Sequence, residues 1–142
     1  LEGTQILTST SEKTLLKAKS ATLTERVEYD FDVSVEFVNG DNSYWTPTPS
    51  SEIEELSCRG IIDIGDDQND FEKLISLIHE VGHVIFNDGN KLKKHRRILL
   101  FEESLAWYLG YDYALANGIA INLKEYAERV EYALQLYTKE MK

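Results

Sequence analysis

The residues best suited to chemistry in this 142-residue chain are His79-Glu80-Val81-Gly82-His83, in the second half of an apolar, helix-patterned stretch from Phe71 to Phe86. On an α-helix, residues four apart stand one turn above one another, so the imidazoles of His79 and His83 reach a common ion from one face. Glu80 then lies beside that ion rather than on it, where a carboxylate serves as general base. Two histidines and an intervening glutamate at this spacing are the signature of zinc-assisted peptide hydrolysis.

A catalytic zinc site needs three protein ligands and one open position, so a further residue must join the histidines. His95 is the sole other histidine and lies in the basic run Lys91-Leu92-Lys93-Lys94-His95-Arg96-Arg97. A metzincin places glycine three and histidine six residues after the motif; here those positions hold Phe86 and Gly89, and Met141 lies too near the end for a Met-turn. Glu102 and Glu103 follow His83 on a second helical pattern and fit better. Neighbours on a helix point about 100° apart, so only one of the two can face the ion.

With these residues in place the chain resembles the gluzincins, zinc peptidases in which His-Glu-x-x-His is followed by a glutamate on a second helix. Glu103-Ser104-Leu105-Ala106 looks like the third-ligand helix of thermolysin-like peptidases and zinc aminopeptidases, where glutamate precedes a small, an apolar and a small residue. Together with Ile78 to His83 it also resembles the compact ImmA/IrrE-type peptidases and the minimal gluzincins. The resemblance spans roughly residues 71–110. It implies Zn2+ held by His79, His83 and Glu103, with Glu102 as the substitute ligand and Glu80 as the catalytic base. In such a site the metal lowers the pKa of water to about 7 and polarises the scissile carbonyl, while Glu80 moves the proton to the leaving amine. The ImmA/IrrE likeness implies cleavage of one regulatory protein rather than general digestion.

Two positions depart from the pattern. Trp107 stands where thermolysin-like enzymes carry an acid four residues after the third ligand, so Glu102, Asp112 or a backbone carbonyl is expected to orient a ligand imidazole. No histidine follows residue 95 to stabilise an oxyanion, and the tyrosines nearest in sequence are Tyr108, Tyr111 and Tyr113.

The elements that must position these groups follow from patterning. Thr10 to Ala18 reads as a short capped helix. Val27, Tyr29, Phe31, Val33, Val35 and Phe37 alternate with polar residues and predict a strand with one wet face. Asn39 to Asn42 supplies a turn, and Ser43 to Thr46 returns as its partner strand. Cys58 to Ile64 predicts a further strand just before the histidine helix, in the place where zincins hold extended substrate at a sheet edge. Asn69-x-x-Glu72 opens the histidine helix and Asn87-Asp88-Gly89 ends it. Helices are expected from Ile98 to Ala116 and onward from Asn122-x-x-Glu125. The resulting fold class is α+β, in which an N-terminal helix and a small mixed or antiparallel sheet precede the active-site helix and two further helices; the gluzincin resemblance implies that residues 1–142 form a single, compact zincin-like domain.

Composition narrows the function classes. Cys58 is the single cysteine, which excludes an internal disulfide framework and a cysteine zinc site, and reads as a small buried residue. The net charge is −10. Its acidity sits in residues 1–70, with 15 acidic and 5 basic side chains, whereas residues 71–142 balance at 10 of each. That sign disfavours nucleic acid as a partner. No apolar run is long enough to span a membrane, and the chain as given carries no signal sequence, so the cytoplasm is the expected compartment. The expected partner is a peptide or protein substrate. The competing reading is a catalytically silent zincin fold used for binding or regulation.

Overall fold

The computed structural model describes residues 2–49, 52, 58–86 and 96–139. Their order is α1 (Glu2–Phe31), β1 (Ser34–Val38), β2 (Tyr44–Pro47), β3 (Gly60–Gly65), α2 (Asp70–Phe86), α3 (Arg96–Ala116) and α4 (Leu123–Lys139). Among the described residues the architecture is α+β, four helices with one three-stranded mixed sheet. None of these helices is long and apolar enough to cross a membrane.

The first half differs from the sequence expectation. In place of a short helix over Thr10 to Ala18, α1 runs from Glu2 through to Phe31 and absorbs half of the alternating stretch. Leu23, Val27 and Phe31 recur every four residues. Leu23 and Val27 are fully buried, while Tyr29, which a strand would place beside Val27, is 83% exposed. A period-two pattern over Val27 to Phe31 thus coincided with one turn of an amphipathic helix, and packing of Leu23 and Val27 decided between them. The helix ends at Asp32, which takes the left-handed conformation (φ 55°) that aspartate tolerates.

The expected hairpin does not form either. Strand order is β1-β3-β2: β3 pairs parallel with β1 and antiparallel with β2. Ile61, Ile62 and Ile64 make β3 the most apolar strand, and the centre of a sheet is where such a strand loses most water contact. Ile62 and Ile64 are fully buried against Leu74, Leu77, Ile78 and Val81 of α2, each side chain contributing about 1.5–3 kcal/mol by burial. β3 is therefore not the sheet edge expected to hold substrate; β2, which ends in Pro47, is an edge strand.

The helical half follows its local signals. Asn69 Oδ1 accepts the Glu72 amide at 2.8 Å and Asn122 Oδ1 that of Glu125 at 3.0 Å, so both asparagine caps form as read. Gly118 closes α3 with φ 79°. The stop signal Asn87-Asp88-Gly89 and most of the basic run, including His95, lie outside the described residues. Cys58, expected to be buried, is half-buried near Thr48.

Candidate metal centre

The site is built where α2 crosses α3. Two glycines set that crossing. A Cβ on Gly82 would overlap the Ala106 carbonyl and stand 2.8 Å from its Cα, and one on Gly110 would overlap the Ile78 carbonyl. The backbones therefore touch, which only glycine permits here. Glu103, Ala106 and Gly110 follow one another at spacings of three and four, so they share the face of α3 turned to α2. Glu102 points about 100° away from that contact.

This register brings Glu103, and not Glu102, to the histidines. Glu103 Oε2 lies 2.7 Å from His79 Nε2 and 3.3 Å from His83 Nε2, and the two imidazole nitrogens are 3.0 Å apart. His79, His83 and Glu103 form the single group of three or more potential metal-ligating residues converging within 4.8 Å among the described residues. Burial alone would raise the Glu103 carboxyl. The hydrogen bonds and charge of the two imidazoles outweigh it and hold the group well below the usual carboxylate range. A tetrahedral site with bonds of 2.0–2.1 Å places its ligand atoms about 3.3 Å apart, so an ion fits after the three groups relax outward by a few tenths of an ångström.

Glu80 adjoins the cluster, 6% exposed, with Oε1 3.9 Å from His79 Nδ1. Trp107 lies one turn beyond Glu103 and stacks on His79, with ring centroids 4.0 Å apart and planes 5° from parallel. The indole thus lies flat on one face of this imidazole.

These groups open into a cleft of about 720 Å3, walled by β2, α2, α3 and the C-terminal part of α4. Glu102 lines this cleft without joining the ligand cluster. The three tyrosines nearest the motif in sequence do not line it. Tyr113 donates its hydroxyl to Asp30 at 2.5 Å, while Tyr108 and Tyr111 line a separate groove between α3 and α4. Tyr44 of β2 and Tyr137 of α4 line the cleft instead. Tyr137 was not legible as a site residue because it is 34 positions past Glu103 and reaches the cleft only through the packing of α4. Compared with known protein families, curated proteins and solved structures, the chain has no match.

Proposed function

We propose that this chain is a zinc-dependent metallopeptidase of gluzincin type, acting on a peptide or protein substrate. The observation that carries the reading is the convergence of His79, His83 and Glu103 beside the buried Glu80, at the floor of an open cleft. Two imidazole nitrogens and one carboxylate oxygen are a donor set that suits zinc and leaves a coordination position free. A zinc ion held there supplies Lewis acidity and makes water nucleophilic near neutral pH.

The chain's own residues do the remaining work. Glu80, next to the ligand cluster and largely shielded from solvent, takes a proton from the attacking water and delivers it to the leaving amine. Tyr137, in the α4 wall of the cleft, offers a hydroxyl to the oxygen that gains charge at the scissile carbonyl. A peptide substrate is favoured by β2: Tyr44, Trp45 and Thr46 line the cleft, and an edge strand binds an extended chain by main-chain hydrogen bonds.

Glu80→Gln tests this reading. The variant should keep one equivalent of zinc while peptide hydrolysis falls by about 10²–10⁴-fold. Undiminished hydrolysis would overturn the general-base assignment. A zinc-loaded wild-type chain that cleaves nothing across a broad peptide library would overturn the peptidase reading in favour of a zincin fold used for binding. Digestion of unfolded casein-like protein at ordinary peptidase rates would rule out restriction to a single protein substrate.

A further inference from the structure

The two charges of a zinc ion in the cleft would be offset by Glu80 and Glu103. Beyond these groups the cleft is lined by the carboxylates of Asp41, Asp63 and Glu102, and by no lysine or arginine among the described residues. A cleft lined by one sign of charge between low-dielectric walls concentrates ligands of the opposite sign. Asp41 and Asp63 also belong to the acidic half of the sequence.

The sheet end of the cleft is built around Asp63. Asp63 of β3 and Tyr44 of β2 are register partners, so their side chains stand on one face of the sheet with Cβ atoms about 4.5–5.5 Å apart. On its other side Asp63 is paired with Glu36 of β1. Like charges side by side on neighbouring strands repel, and among the described residues neither carboxylate has a cationic partner. The arrangement costs stability in the free chain and is relieved by a cation. Asp41 is held close to the end of β3: a Cβ on Gly65 would stand 2.8 Å from the Asp41 carbonyl carbon, and the Asp67 amide donates to the Gly40 carbonyl at 2.8 Å. Independently of charge, Tyr44 lines the cleft 57% exposed, an aromatic surface beside the acids. A guanidinium or ammonium group stacks on such a ring and donates hydrogen bonds to such carboxylates.

We infer that Asp41, Tyr44 and Asp63 form a subsite for a basic side chain, so that the substrate is a peptide segment carrying arginine or lysine near the bond to be cut. The inference rests on the peptidase reading above for the cleavage, and on the cleft alone for the binding of the side chain. An extended peptide paired along β2 places one of its side chains beside Tyr44, on the face of the sheet that holds Asp63.

The test compares two fluorescent peptides of one sequence, with arginine or its neutral isostere citrulline at the same position. Binding is read by fluorescence anisotropy on the metal-free wild-type chain and on zinc-loaded Glu80→Gln, and hydrolysis on the zinc-loaded wild-type chain. The arginine peptide should bind about 10–100-fold more tightly, the range for hydrogen bonds to a charged group, and rising ionic strength should narrow the gap. The double variant Asp41→Asn/Asp63→Asn should bind the two peptides alike. Should it not fold, Asp41→Asn alone, at an exposed turn position, should still narrow the gap, and an unchanged gap there would overturn the inference. Equal binding of the two peptides by the wild-type chain would overturn it. So would a preference that survives in the double variant, which would trace to the net charge of −10 rather than to this subsite. An arginine preference in binding with no hydrolysis of either peptide would end the peptidase reading and leave the subsite standing. Equal binding and equal hydrolysis of the two would do the reverse.

Discussion

Gly82→Ala adds one methyl group where α2 and α3 touch. Its Cβ would overlap the Ala106 carbonyl and lie 2.8 Å from the Ala106 Cα, both of them backbone atoms that no rotamer change can move. Restoring ordinary carbon–carbon contact of about 3.5–4.0 Å to that Cα separates the helices by about 0.7–1.2 Å, and clearing the carbonyl needs more. Glu103 is one turn from Ala106 and moves with it. Metal–ligand distances are held within about 0.2 Å, so this displacement removes the carboxylate from the site. The stability cost is smaller. Overpacking costs about 1–3 kcal/mol, while replacing glycine by alanine in a helix returns about 1 kcal/mol. The net loss of about 0–2 kcal/mol leaves the chain folded, whereas zinc affinity should fall at least about 100-fold, the upper end of what removal of an orienting group alone does. The assay is zinc competition against a chromophoric chelator, with melting curves recorded on metal-free protein so that bound metal does not inflate stability. Wild-type zinc affinity in a folded Gly82→Ala chain would refute the argument that this glycine sets the ligand distance.

Other expectations follow from the same geometry. Glu103→Gln should lose stoichiometric zinc, whereas Glu102→Gln should retain it, as read by metal analysis after desalting; equal retention in both would contradict the register that faces Glu103 to the histidines. Tyr137→Phe should lower kcat by about 10²–10³-fold with little change in KM, the effect of deleting one oxyanion donor, while Tyr108→Phe should leave kcat unchanged. Burial, with the neighbouring Tyr111, raises the Tyr126 hydroxyl above the ordinary tyrosine range. Because its folded value exceeds its unfolded one, the stability it contributes is fully present below about pH 10 and is lost as pH rises beyond it. Tyr113, buried in part and bonded to Asp30, is raised likewise, so near-ultraviolet tyrosinate absorbance should show a late step that both residues share, and its amplitude should fall in Tyr126→Phe.

The histidine helix was legible in the sequence because every signal it needs is local. The Asn69 cap, the apolar spacing from Leu74 to Val81 and the turn between His79 and His83 depend on residues within a few positions of one another. The Asn122 cap and the close of α3 at Gly118 were readable for the same reason. Where two local readings competed, the sequence could not choose. Val27 to Phe31 satisfies both a period of two and a four-residue repeat, and the burial of Leu23 and Val27 beneath the rest of the fold selected the helix. Strand order was also beyond reach, since nothing in β1 or β2 records that β3 will lie between them.

The sequence by itself determined the donor types and the pairing of His79 with His83, because one helical turn brings them together whatever surrounds them. It narrowed the candidate third ligand to two adjacent glutamates and named no residue for the oxyanion side of the proposed reaction. Tertiary structure decided the rest. Contact of Gly82 with Ala106 turned Glu103 toward His79 and His83, the same face of α3 laid Trp107 on His79, and α4 brought Tyr137 into the cleft. Each depends on how closely and at what rotation two helices approach, a quantity fixed by backbone contact between residues far apart in the chain and therefore absent from any local pattern.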